Sequence, residues 1–207
     1  MTEFIKAVLN KEFEKASDML KDNSNVINDK DNQHDTAIIV ASRNGQNDVI
    51  DFLIKNGANI NDRDMIEQTP LMLAAEEGHT ETVRHLIEKG ADIHLINNKG
   101  NNAIIISTQE GRIDIVKMLI DKDAKINQKN GDGESPLSLA VDLRHSKKLV
   151  DLLLENGAIR GGFSKKSKKS RKSKKSRKSR NLRKSKKYLI KKWFKDKNIY
   201  NMLEFVI

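Results

Sequence analysis

The sequence predicts an all-α fold, an α-solenoid of short helix pairs stacked in single file. Three observations predict it. Residues recur at a fixed interval of 33: Gly45, Gly78 and Gly111, with Arg144 next in the series; Thr36, Thr69, Asn102 and Ser135; Ile27, Ile60, Ile93 and Ile126. Within each interval apolar residues fall at helical spacing, as in Val83, Leu86 and Ile87 or Val116, Leu119 and Ile120. The chain's two prolines, Pro70 and Pro136, occupy the same place in their intervals. A fixed period of this length means supersecondary units that build their core between neighbours.

Each unit opens on a helix start. Thr69 can accept hydrogen bonds from the free amides of a first turn, and Pro70 follows where a missing N–H costs nothing. Ser135-Pro136 repeats the device, and Thr36 and Asn102 are expected to cap the units that lack the proline. The first helix is short and ends near Gly45, Gly78 or Gly111, since glycine enters a left-handed helix exit without a Cβ clash. Ala41, Ala74, Ser107 and Ala140 recur on it as the small residues that close helix approach requires. A second helix follows, with Val49, Ile50 and Leu53 as its apolar face in one unit, and closes at Gly57-Ala58 or Gly90-Ala91. A polar stretch such as 59–68 then leads to the next unit through a β-turn or short hairpin.

The run Thr69-Pro70-Leu71-Met72-Leu73-Ala74-Ala75-Glu76-Glu77-Gly78-His79, followed by Val83, Leu86, Gly90 and Ala91, closely resembles the ankyrin repeat. The matching residues run from Asp31 to Ile159. The expected organisation is a degenerate first repeat at 1–30, repeats at 31–63, 64–96, 97–129 and 130–160, a basic linker at 161–187 and an amphipathic segment at 188–207. The sequence departs from the family pattern in places. Ile39, Met72, Ile105 and Ser138 stand where the family usually has a histidine, Asp123 replaces a second-helix glycine, and Arg144 replaces a first-helix glycine. The last repeat also has one extra residue before Leu153. The repeats at 97–129 and 130–160 are therefore expected to open first; limited proteolysis whose earliest cuts fall in 1–63 would contradict this. Lys, Asn and Ile make up about a third of the chain, and similar proteins with basic tails occur in large DNA viruses and intracellular bacteria.

The resemblance implies recognition of a protein partner by the turn tips and the exposed side of the first helix. By register those positions are Asn32, Gln33, Asp35, Arg43 and Asn44; Met65, Ile66, Gln68, Glu76 and Glu77; Lys99, Asn101, Gln109 and Glu110; and Asp132, Glu134 and Asp142. Most are ordinary polar surface types. Met65-Ile66 differs, because two adjacent apolar side chains at a tip have no evident core to enter and suit a contact. A monomer is expected.

Nothing in the sequence points to catalysis or to a cofactor. The histidines at 34, 79, 85, 94 and 145 are scattered, and His79 matches the family's structural position after the glycine. There is no phosphate-cradling glycine loop and no nucleophile elbow. Cysteine is absent, so thiolate chemistry and disulfides are excluded. No secretory leader is evident at the start, and no apolar run approaches the roughly 18 residues of a membrane span. An intracellular protein is expected.

The net charge of +10 is the sum of two unlike parts. Residues 161–207 carry 19 Lys and Arg against Asp196 and Glu204, while residues 1–160 carry 20 against 27 acidic residues. The excess lies in Ser164–Arg180, where Lys165, Lys166, Lys168, Lys169, Arg171, Lys172, Lys174, Lys175, Arg177 and Lys178 alternate with serine. With no apolar residue the run cannot offset its ordering entropy and is expected to be disordered. Four readings stay open for it: a solubilising tail, sequence-independent nucleic-acid binding through phosphates, an import signal for an import receptor, or attachment to anionic lipid. Serines 167, 170, 173, 176 and 179 sit among the bases, and phosphorylation would offset their charge. Leu189, Trp193, Tyr200, Leu203 and Ile207 share a helical face, which suits either docking on the end of the array or insertion at a membrane surface.

Overall fold

The computed structural model describes residues 1–159. The expectations for the basic linker and for 188–207 lie outside the described residues.

Ten α-helices in five antiparallel pairs make up the described fold. They are α1 (Glu3–Leu9) with α2 (Phe13–Asp22), α3 (Ala37–Arg43) with α4 (Asn47–Lys55), α5 (Pro70–Glu77) with α6 (Thr80–Glu88), α7 (Ala103–Gln109) with α8 (Ile113–Asp121), and α9 (Pro136–Asp142) with α10 (Lys147–Glu155). A short 3₁₀ turn, Ser24–Asn28, follows α2. The first helices of the pairs pack on one another in sequence as an inner row, and α6, α8 and α10 form an outer row behind them. There are no strands among the described residues; one isolated antiparallel bridge joins Lys30 to Thr36. The connections are tight turns closed by backbone bonds.

The inner helices are buried almost all round because they are sandwiched between neighbours. Ile38, Leu71, Ile104 and Leu137 are buried at one register position, and Ala41, Ala74, Ser107 and Ala140 at another. A serine or alanine there lets helix axes approach closely. On the outer row Ile50 with Leu53, Val83 with Leu86, Val116 with Leu119, and Leu149 with Leu153 turn inward. The amphipathic spacing read from the sequence is thus the packing face itself. The first pair joins the same core through Phe4, Ile5 and Val8, and Phe13 stacks on Phe52 with ring centroids 4.8 Å apart.

Three of the four expected caps form and one does not. Thr69, Asn102 and Ser135 each accept from the amide three residues on, and Ser138 answers Ser135 to complete a capping box. Thr2, which the repeat register did not single out, caps α1 in the same way. Thr36 caps nothing: its hydroxyl donates instead to Asp62 Oδ2 at 2.5 Å. The charge-assisted bond to a carboxylate of the next loop orients the hydroxyl, and no first-turn amide donates to its oxygen.

Left-handed backbone recurs where the glycine series predicts it, even where glycine is missing. Gly45, Gly78 and Gly111 have φ of 71°, 85° and 67°, and Arg144 holds the same conformation at 57°. Asp123 does so at 60° in the place of Gly57 and Gly90. An L-residue there costs about 1–2 kcal/mol. Arg144→Gly is therefore expected to stabilise the last repeat by about 1 kcal/mol, read as an increase in the urea midpoint at unchanged m value.

Ion pairs decorate the outer surface. Asp51 on α4 lies 2.6 Å from Lys89 Nζ and 3.1 Å from His85 Nε2, joining two repeats. The Lys89 hydrogen bond, ahead of the charge of His85, holds its carboxyl below the usual range. A depressed folded pKa contributes stability above the unfolded value, lost as pH falls through the folded one. The group is about half exposed, so its share is small.

Candidate functional site: the face of turn tips and inner helices

Each of the four repeats after the first pair presents one tip, and all four are built alike. In the tip at 31–35 the Asp31 amide donates to the Asp35 carbonyl and the His34 amide to the Asp31 carbonyl. Asp31 Oδ1 accepts from the amides of Gln33 and Asp35. Asp64, Asn97 and Asn130 repeat these bonds at the same interval. The result is a type I turn followed by a left-handed residue, a compact three-residue loop. That fourth position is His34, Glu67, Gly100 and Gly133, at φ between 63° and 79°. This second left-handed series carries glycine at only two of its four places. Backbone bonds tie neighbouring tips together, Asn98 N to Ile66 O at 3.2 Å and Gly131 N to Lys99 O at 2.8 Å.

The residue after the left-handed position turns inward, under the tip. Asp35, Gln68 and Asn101 are buried, so the expectation that they are solvent-facing contact residues is corrected at these three positions. Asp35 Oδ2 reaches Arg43 at 2.7 Å, and Gln68 Nε2 donates to Glu76 at 2.7 Å. Both pairs span eight residues, from a tip to the end of the inner helix it precedes. They form the first two rungs of a polar ladder. The next two rungs do not close in this way. Asn101 makes no side-chain bond to Gln109, and its Oδ1 is buried without a partner. Glu134 has a like charge, Asp142, eight residues on, and accepts instead from Asn130 Nδ2 at 3.2 Å.

The remaining expected contact residues stay accessible. Met65 is 69% exposed and Ile66 40%, so the apolar pair does not fold onto the neighbouring tip. Glu77, Lys99 and Glu110 are exposed, as are Asn32, Gln33, Asn44, Asp132 and Asp142. Arg43, Glu76, Gln109 and Glu134 are half-buried. The ten basic residues from Lys165 to Lys178 lie outside the described residues.

A second ladder, invisible to motif reasoning, locks the inner helices to one another. His79 Nε2 bonds the Arg43 carbonyl at 2.9 Å, Arg112 donates to the Glu76 carbonyl at 3.1 Å, and His145 Nε2 bonds the Gln109 carbonyl at 2.9 Å. Gln46 donates likewise to the Leu9 carbonyl. Each satisfies a carbonyl at or near a helix C-terminus that has no intrahelical donor. The rings of His79 and His145 lie over Gly45 and Gly111, within 3.1 Å and 2.9 Å of where a Cβ would sit. These histidines are structural.

Among the described residues no group of three His, Asp or Glu is placed to hold a metal ion. No described helix is long and apolar enough to cross a membrane.

The family models agree with this geometry. The ankyrin repeat model matches residues 33–65, and the model for ankyrin repeats in three copies matches 71–161. No curated protein matches the chain. Ankyrin repeats are in general protein–protein interaction modules. With helix pairs, turn tips and family models coinciding over more than half its length, the chain belongs to the ankyrin repeat family.

Proposed function

We propose that this protein is a non-catalytic recognition scaffold that holds a partner protein on its turn tips and inner-helix ends, from Arg43 to Asp142. The observation that carries this reading is Met65-Ile66. Two apolar side chains stand in solvent on a tip that is closed by backbone bonds, the Asp64 carboxylate and the Arg63 guanidinium, without them. Exposed apolar side chains on a rigid support are favourable anchors, since little entropy is lost when they are covered. The accessible positions expected to join them are Arg43, Glu76, Glu77, Lys99, Gln109 and Glu110. Gln68 contributes from beneath, by bonding Glu76 at the end of the inner helix, and Asn101 offers a buried acceptor without a partner.

The basic run 164–180 supports an accompanying role in localisation or electrostatic attachment. A second reading makes that run the principal binder, of nucleic acid or an anionic membrane surface, with the repeats as carrier. The charge asymmetry of the sequence favours it enough to be tested alongside.

Partner capture by full-length protein separates the two. Met65→Ala with Ile66→Ala is expected to lower capture about tenfold or more, the size of a hot-spot loss. Capture should persist at high salt, because apolar contacts are not screened. Capture unchanged by the double substitution, but abolished by salt or by replacing the basic residues of 164–180, would favour the tethering reading.

A further inference from the structure

The chain holds six methionines and no cysteine, so its sulfur chemistry toward peroxides belongs to methionine alone. We infer that Met65 is an oxidation site whose sulfoxide form releases the partner held at the tips; this rests on the recognition reading above.

The first observation is access. Met65 is 69% exposed, more than any other methionine among the described residues. Met1 follows at 47%, Met19 and Met118 are half-buried, and Met72, seven residues on, is 1% exposed. Met202 lies outside the described residues. An oxidant must reach the sulfur, so exposure orders the sites, and no thiolate in the chain intercepts it first. By register Met65 answers to Asn32, Asn98 and Gly131. A thioether thus stands at this tip where the others carry an amide side chain or none.

The second observation is that the tip closes without this side chain. Asp64 Oδ1 accepts from the amides of Ile66 and Gln68, and the Glu67 amide donates to the Asp64 carbonyl. Arg63 Nη1 donates to the Glu67 carbonyl and carboxylate. None of these bonds uses the Met65 side chain. A sulfoxide there leaves the tip folded and changes only what the tip presents.

The step balances with hydrogen peroxide as the oxidant. The sulfur lone pair attacks one peroxide oxygen, the O–O bond breaks, an S–O bond forms and the second oxygen leaves as water. Sulfur is oxidised by two electrons and the peroxide is reduced by two. The product carries a polar acceptor where an apolar anchor stood. Once a partner covers Met65 and Ile66, that oxygen is desolvated with no donor supplied by a contact that fits a thioether. Methionine sulfoxide reductases reverse the step with a dithiol, which becomes a disulfide as the sulfoxide oxygen leaves as water.

The test treats full-length protein with graded hydrogen peroxide and follows each methionine by peptide mass spectrometry. Met65 is expected to oxidise at least about tenfold faster than Met72, with the melting temperature unchanged until Met72 reacts. Capture is then read for the protein whose binding Met65→Ala with Ile66→Ala lowers. Complete oxidation of Met65 should lower that capture about tenfold, the size of a hot-spot loss. Methionine sulfoxide reductases with dithiothreitol should restore it. Met65→Leu, whatever its starting capture, should lose less than about twofold on the same treatment, since no thioether remains at the tip. Met72 reacting as fast as Met65, capture unchanged by complete Met65 oxidation, or equal loss in Met65→Leu overturns the inference. If the double substitution lowers capture and oxidation does not, the recognition face stands and only its switch falls. If no captured protein depends on that pair, the recognition reading falls and takes the switch with it.

Discussion

Gly100→Val is expected to destabilise the fold by about 3–4 kcal/mol, among the largest single-residue losses this chain can show. Two costs add. Gly100 has φ of +74°, where a β-branched L-residue is strained by its own backbone. A Cβ placed there would also lie 2.7 Å from Gly131 N and 3.2 Å from the Asn130 carbonyl carbon, all backbone of the next tip. Backbone cannot rotate away as a side-chain end can. The bond from Gly131 N to Lys99 O, at 2.8 Å, would be pushed apart with it. Gly133→Val isolates the first cost, because Gly133 is equally left-handed at +79° but a Cβ there meets nothing within 4 Å. Its loss should stay near about 1–2 kcal/mol. Urea unfolding of both variants checks the difference, and equal losses would show that tip-to-tip packing contributes nothing.

Leu86→Ala should cost about 2–5 kcal/mol, the range for emptying a fully buried leucine site. Leu86 lies on α6 in the middle repeat, and its side chain is completely enclosed. In a stack where each unit touches only its neighbours, a weak middle unit uncouples the two ends. Unfolding should therefore broaden or split into two transitions, visible in calorimetry as a van't Hoff enthalpy below the calorimetric one. Met65→Ala, at an exposed tip, should move stability by less than about 0.5 kcal/mol. A single sharp transition for Leu86→Ala would mean that the repeats fold as one block.

Much of this architecture is legible in the sequence, because the features that make it are local and repeat. Thr69-Pro70 and Ser135-Pro136 are helix starts by the chemistry of the first turn alone, and both form as read. Arg144 and Asp123 were placed by register, and their left-handed backbone follows from position, not residue type. The misreadings are where a side chain's fate depends on something distant. Thr36 has the sequence of a cap, yet Asp62, 26 residues away, takes its hydroxyl. Gln68 and Asn101 look like surface amides; the left-handed residue before each turns them under the tip. A signal for that turn exists in the Asp31, Asp64, Asn97, Asn130 series, whose spacing marks the acceptor that closes every tip. It is easy to pass over, because Asp and Asn are also the commonest residues of any polar loop. The ladder from Gln46 through His79 and Arg112 to His145 is harder still to read. Its four side chains share a geometry but not a residue type.

The recognition face is half legible for a related reason. Register places its positions, while exposure decides which of them can touch a partner. Met65 and Ile66 stand out by both criteria, and Glu77, Lys99 and Glu110 by exposure. The open rungs at Asn101 and Glu134 emerge only when side-chain bonds are compared from repeat to repeat.

Hydrogen–deuterium exchange of the full-length protein, with and without a captured partner, tests the central claim most directly. The account predicts slowed exchange at the tips around 64–68 and 97–101 and at the inner-helix ends near 76–77 and 109–110, with α6 and α8 unchanged. Protection confined to 164–207, or to the outer helices, would contradict it.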